Sequence, residues 1–366
     1  MKKFITASLV SLALSAPAFG APFMAIGDGA ELFITGVVGV RADSNIFLSV
    51  NDVDDLIFDI NPGAELTFGK DAQLKGALTA EVAFANYADN DHLNTELFTG
   101  RFNSRFDDGK TKFNFNLSYA ELNQNTPDLR GLVRRDVFNT GANTEVEFTQ
   151  LTSVGAGISY DKQKYKRTTY SDTDTLTIPV DFFYKITPKS DLVIGYRYRD
   201  NEVTIGQDSN DHFLNIGGRG EFSPKLTGRF AIGLNTRDYD NGGDESGLGL
   251  DASFSYEVSP KTSLQFGASN DFSTSPQGQE QENLTLNAAL TTKLTEEWSF
   301  NGGVSWRSID YSTRTDDYFE GNLGLSYVMN ANVRFVGAYV YRDYKSDIRA
   351  SQFSNHVFSF AANLRY

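Results

Sequence analysis

From about Glu31 to the last residue, apolar and polar positions alternate along the chain. In 56–68, Leu56, Phe58, Ile60, Pro62, Ala64, Leu66 and Phe68 share one face, while Asp59, Asn61, Gly63, Glu65 and Thr67 share the other. Segment 176–186 repeats this with Leu176, Ile178, Val180, Phe182, Tyr184 and Ile186, and 248–258 with Leu248, Leu250, Ala252, Phe254, Tyr256 and Val258. A period of two puts successive side chains on opposite faces of a strand. No stretch holds a helical period, so the chain reads as all-β. Turn signals recur at Lys70-Asp71, Asp108-Gly109, Gln150-Leu151, Pro188-Lys189, Pro224-Lys225, Pro260-Lys261, Thr295-Glu296 and Asn330-Ala331, spaced 35 to 42 residues apart. Asp-, Asn- and Ser-rich links lie between them. The repeating unit is therefore a hairpin: one tight turn, two long strands and one longer link.

Counting strands gives eighteen, or 16 if the first hairpin pairs irregularly. An even count with tight turns on one side is the pattern of single-chain outer-membrane barrels. Three features set the apolar face against lipid and not in a soluble core. The strands exceed the usual five or six residues and reach the length of a tilted span. Aromatics cluster at strand ends, with Phe68, Phe148, Phe222, Tyr256, Trp298, Tyr327 and Tyr366 near the tight turns and Tyr198, Tyr239, Phe272, Tyr311, Tyr318 and Tyr344 near the longer links. Two such bands predict interface girdles. The chain also ends on a strand with Phe358, Phe360, Ala362, Leu364 and Tyr366 on one face. That ending resembles the signal read by the outer-membrane assembly machinery, an expected partner. The predicted fold is thus a transmembrane antiparallel up-and-down β-barrel of about 18 strands.

Residues 1–20 carry a different pattern. Lys2 and Lys3 precede an apolar run from Phe4 to Leu14, and Ala18-Phe19-Gly20 offers small residues for cleavage. This order reads as a signal peptide removed after Gly20, leaving 21–366 as one barrel domain. No later run is apolar for long enough to be a spanning helix. The expected location is the outer membrane of a Gram-negative-type envelope, with outer-membrane lipid and lipopolysaccharide as surroundings.

Composition narrows the function. The chain has 366 residues, no Cys, and 33 Lys+Arg against 47 Asp+Glu, for a net charge of -14. Absence of Cys excludes a disulfide scaffold, Cys-ligated zinc and a Cys nucleophile. The acidic balance speaks against a nucleic-acid partner. Phase along each strand points one set of charges into the lumen. These are Arg101, Arg105, Arg197, Arg199, Arg229, Arg237, Arg307 and Arg334, with Glu65, Glu81, Asp181 and Asp251 among the acids. Such a wall either sets a field across a wet channel or pairs across strands and stiffens the barrel. Segment 123–135 is the longest predicted outer link and carries Arg130, Arg134 and Arg135. Its position resembles the inward constriction loop of general porins. It reads equally as an exposed, solvated turn. No long plug domain is evident, which speaks against energy-coupled transport.

His92, His212 and His356 fall in or near the outer links, and no nucleophile motif accompanies them. The G-x-S-x-G, H-E-x-x-H and phosphate-loop motifs are absent. No catalytic residues, metal or cofactor are expected. Segments Arg41-Ala-Asp-Ser-Asn-Ile-Phe47 and Ile60-Asn-Pro-Gly-Ala-Glu-Leu66, with the Gly-x-x-x-Arg exits at Gly195, Gly233 and Gly303, the longer Gly337-to-Arg342 exit and the Ser259-Pro-Lys-Thr262 turn, resemble the putative β-barrel porin 2 family. The resemblance implies an outer-membrane barrel linked to exopolysaccharide export, with polysaccharide or export components as partners. The function expected is passive passage of hydrophilic solutes or of a secreted polysaccharide. The alternative is a non-conducting structural or surface-adhesion barrel. Mass analysis of the membrane-inserted protein should read Ala21 as its first residue; an intact Met1 terminus would remove the leader.

Overall fold

A computed structural model describes residues 21–27, 29–129 and 131–366. The leader proposed for 1–20 lies outside the described residues. A short strand, β1 (Met24–Ile26), is followed by eighteen long ones. The first nine are β2 (Ala30–Asp43), β3 (Asp55–Phe68), β4 (Leu74–Tyr87), β5 (Thr95–Asp107), β6 (Thr111–Asn125), β7 (Leu132–Glu147), β8 (Thr152–Tyr165), β9 (Thr173–Thr187) and β10 (Ser190–Val203). The second nine are β11 (Ser209–Ser223), β12 (Leu226–Tyr239), β13 (Asp244–Ser259), β14 (Thr262–Thr274), β15 (Glu280–Lys293), β16 (Trp298–Tyr311), β17 (Arg314–Val328), β18 (Val333–Lys345) and β19 (Phe353–Arg365).

Every long strand pairs antiparallel with its neighbours in sequence, and β19 pairs back onto β2 from Val357↔Asp43 to Arg365↔Thr35. The sheet is therefore a closed barrel of eighteen strands, as the periodicity predicts. Closure leaves no open edge, which is what a β-structure in hydrocarbon requires. The chain end completes the join: Tyr366 N donates to Ile34 O at 2.9 Å, and Ile34 N donates to Tyr366 O at 2.6 Å. Beyond it, β1 continues along the same side of β2, with Met24 opposite Leu32.

The two faces follow the sequence period. Val38, Phe58, Ile60, Leu78, Ile158, Val180, Ile194, Leu214, Ile216, Leu234, Leu248, Val304, Leu323 and Phe358 are exposed on the outside. Exposed apolar surface on this scale marks a membrane face. Among the described residues, no helix is long and apolar enough to cross a membrane.

The links depart from expectation in three places. The β6–β7 hairpin runs further than predicted, so 123–135 shrinks to a tip at 126–131, because Glu121 to Asn125 pair with Leu132 to Asp136. The longest outer link is 44–54, between β2 and β3. The third departure concerns the upper aromatics. Phe272, Tyr311, Tyr318 and Tyr344 are buried within the barrel and do not form an outer girdle. Tyr311 and Tyr344 lie in phase with the inward Arg307 and Arg342. Of the expected band, Tyr198 does face outward at this level, joined by Tyr196, Tyr339 and Tyr341 beside His212 and His356.

Two seams in the wall stop short. The β5–β6 ladder ends at Thr99↔Ala120, and the β13–β14 ladder ends at Leu250↔Asn270. Past these points side chains take over from the missing backbone bonds. Glu121 Oε2 accepts from Phe98 N at 3.2 Å, and Asn270 Nδ2 donates to Leu248 O at 2.7 Å. The tips of the β6–β7 and β14–β15 hairpins are thereby free to lean over the lumen. The outward phase of the wall is testable at Ile216, central in β11. Ile216→Arg should cost about 2–4 kcal/mol at the midplane and reduce the yield of heat-modifiable, folded barrel in lipid. Unchanged folding yield would contradict the assignment of that face.

Candidate functional site: the lumen and its outer mouth

The lumen near the tight turns is wide and polar. On β5 and β6 the inward positions Arg101, Asn103, Arg105, Lys112, Asn114 and Asn116 are all exposed. Lys75 stands directly opposite Arg105 across the β4–β5 ladder. Like charges facing each other across a ladder destabilise it, and Arg105 reaches Asp107 at 2.9 Å. Arg101, Lys75 and Lys112 have no carboxylate within 4.0 Å among the described residues. Asp251, on β13, is equally without an ion partner there, and β13 lies nine positions on from β4, halfway round the ring of eighteen. A basic stripe on β4–β6 thus faces an acid across the lumen. Glu81 shares the basic side with Arg101.

Most other inward charges are paired. Glu65 takes Arg365 Nε at 3.0 Å, and Asp181 takes Arg229 Nη2 at 3.2 Å. Arg219 lies opposite Arg229, but Glu145 and Asp191 neutralise it at 2.7 and 2.8 Å. Arg334 lies on the inward face of β18, close to the tight turn.

Nearer the mouth the charges form a network. Asp211 on β11 accepts from Arg237 Nε at 2.6 Å and from Arg199 Nε at 2.6 Å. Asp271 accepts from Arg197 Nη2 at 2.9 Å, from both Arg199 terminal nitrogens at 3.0 Å, and from Asn235 Nδ2 at 2.9 Å. Arg237, 1 % exposed, also donates to Glu280 Oε2 at 2.5 Å. Asp271 lies just past the point where β14 leaves β13. The network therefore straps the inward-leaning β14–β15 hairpin to β10–β12. Here Arg197, Arg199 and Arg237 act as fasteners, the pairing that the sequence left open beside a charged wet wall.

The mouth itself is arched over. Arg307 on β16 donates to both oxygens of Asp128, at 2.8 and 3.1 Å, in the β6–β7 tip. Gln277 of the β14–β15 tip donates to Asp128 O at 2.7 Å, so the two tips meet. Ser171 N donates to Pro276 O, and Tyr170 Oη donates to Leu129 O, both at 2.8 Å. Link 44–54 folds inward alongside. Leu48 packs with Ile309, Tyr311, Tyr318, Tyr344 and Phe353, and Ile46 packs with Ile57 and Tyr87. Leu48 has φ +48°, a left-handed conformation unusual for Leu and held here by complete burial. Asn45 Nδ2 fixes the link through Ser49 O at 2.8 Å and Asp52 Oδ1 at 2.6 Å. The sequence reading missed this element. Its signal is Ile46-Phe47-Leu48, an apolar triplet inside an otherwise polar link.

The three arginines of 123–135 separate. Arg130 lies outside the described residues. Arg134 is in phase with the outward face: it lies 3.7 Å from Glu121 and donates to Glu96 O at 3.4 Å, across the β5–β6 seam. Arg135 points inward and is buried. At the adjoining outer rim, a hydrogen bond to Asp136 holds the Lys166 ammonium above its usual range.

His212 and His356 are on β11 and β19, not in links. Each sits against two tyrosines on the outside, sharing a hydrogen bond with Tyr196 Oη at 2.7 Å and Tyr339 Oη at 2.8 Å. Both belong to the outer aromatic belt. No cluster of three metal-ligating side chains occurs among the described residues.

Residues 205–366 match the family model of putative beta-barrel porin 2, in agreement with the resemblance read from the sequence. No curated protein matches the chain. Among solved structures, it is similar to the outer membrane protein OpdK of Pseudomonas aeruginosa, at 10% identity and a TM-score of 0.49, over 92% of this chain and 99% of that one. It is also similar to OccAB3 of Acinetobacter baumannii, at 9% identity and 0.48, over 93% and 100%. Asp271→Asn should strand Arg197 and weaken the strap on β14–β15. The expected loss is about 3–5 kcal/mol, as for breaking a buried pair, read as a lower urea midpoint of the reconstituted barrel.

Proposed function

We propose, for a chain whose residues 205–366 match the porin 2 model, that it is an outer-membrane channel passing small hydrophilic solutes by diffusion. One observation carries this reading: the inward faces of β5 and β6 are polar, charged and exposed to the lumen. Eighteen strands enclose more space than wall side chains fill, so the lower lumen holds water. Passage there is shaped by the opposed charges of Lys75, Arg101 and Lys112 on one side and Asp251 on the other. A solute with separated charge orients in such a field, and an anion is drawn to the basic stripe.

The outer-membrane location rests on the closed barrel with an apolar outside and polar inside, together with the leader read at 1–20. The inward tips favour small solutes over a secreted polysaccharide, which would require the tips to part. The barrel supplies binding and a path, with no covalent step.

Liposome swelling with neutral sugars of increasing size tests the reading. Swelling should occur for monosaccharides and fall off with size. Deletion of Thr126–Gly131, closed by a Gly-Gly link, should extend the size limit, because it removes the arch held by Arg307. No swelling from folded, heat-modifiable protein would overturn the channel and favour a structural barrel.

A further inference from the structure

Arg135 differs from every other inward arginine near the mouth. The residue is only 6% exposed, and among the described residues its Nε and Nη1 have no hydrogen-bond partner. No carboxylate lies within 4.0 Å of it among the described residues. The nearby acid, Asp128, is held by Arg307. Beside it are Tyr165, whose ring centroid is 5.9 Å from the guanidinium carbon, and the buried Val133 and Val137, which share its face of β7. Tyr165 in turn stacks on Tyr170 at 5.4 Å, and Tyr170 is bonded to the tip at Leu129 O.

A guanidinium cannot shed its proton, and a buried charge without a partner is strongly unfavourable. Arg197, Arg199, Arg237 and Arg307 each meet that requirement with a carboxylate from the chain. Arg135 does not, although it lies in the inward phase of β7 just below the β6–β7 tip. We propose that Arg135 is an oxyanion subsite in the neck of the lumen. The carboxylate or phosphate group of a solute there completes the fork of donors that the chain leaves open. A guanidinium binds such groups through two parallel hydrogen bonds, and Tyr165 provides a flat wall beside it. The proposal rests on the channel reading for its solute, and its test does not depend on current.

The test is thermal unfolding of the purified barrel, followed by heat-modifiable migration, while inorganic phosphate replaces chloride at constant ionic strength. A ligand bound only by the folded state raises its transition. Wild type should shift upward by a few degrees and saturate. Arg135→Gln should fold, be at least as stable without phosphate, and show no saturable shift. Arg135→Lys should keep a smaller shift, since an ammonium is a point charge. In planar bilayers, Arg135→Gln should also lower the anion-to-cation permeability ratio severalfold. Equal phosphate shifts in wild type and Arg135→Gln, or none in either, would overturn the subsite. A phosphate shift specific to wild type in a barrel that passes no current would support the subsite and overturn the channel.

Discussion

The need to satisfy every backbone N–H and C=O without water governs this structure. Inside hydrocarbon an unpaired backbone group costs several kcal/mol. The chain meets that demand by joining β19 to β2 and seating Tyr366 on Ile34. Once the ladder is closed, side-chain direction is fixed by parity. Apolar residues take the outside, and polar ones must take the lumen. The two seams break the rule only near the outer mouth. There, Glu121 and Asn270 replace the lost ladder bonds with side-chain bonds.

That local release permits the rest of the mouth. Because β6 leaves β5 and β14 leaves β13, two hairpin tips reach across the barrel and meet at Asp128 and Gln277. Charge holds them in place: Arg307 takes Asp128, and Arg197 and Arg199 take Asp271. The same residue type has a different role lower down. Arg101 is exposed there with no ion partner within 4.0 Å among the described residues, and its charge is available to whatever enters. The ion-paired arginines near the mouth build the neck, and Arg101 below it faces the open lumen.

Much of this architecture is legible in the sequence, since a period of two reports strand face directly. The eighteen strands, the closed ring and the inward phase of Arg229, Asp181 and Glu65 all follow from it. What periodicity does not report is where a strand leaves its neighbour. Parity placed Arg307 and Arg237 inward, but nothing local indicates that Asp128 or Glu280 would meet them from distant hairpins. Tyr311, Tyr318 and Tyr344 read as a girdle because their position near strand ends was weighed above their phase. Arg134 and Arg135 are adjacent, so a strand must send them to opposite faces. That consequence appears only once β7 is seen to begin at Leu132 and not at 136. Link 44–54 turns inward because Ile46 and Leu48 find apolar partners on the wall, a tertiary reward that local polarity hides.

The central claim is that a wet, charged lumen runs through the barrel and narrows at its outer mouth. Single-channel recording of the wild-type protein in a planar bilayer, under a potassium chloride gradient, tests it most directly. The account predicts discrete, steady conductance steps with a reversal potential on the anion side, to which Lys75, Arg101 and Lys112 contribute. Folded, inserted protein that shows no steps would contradict it.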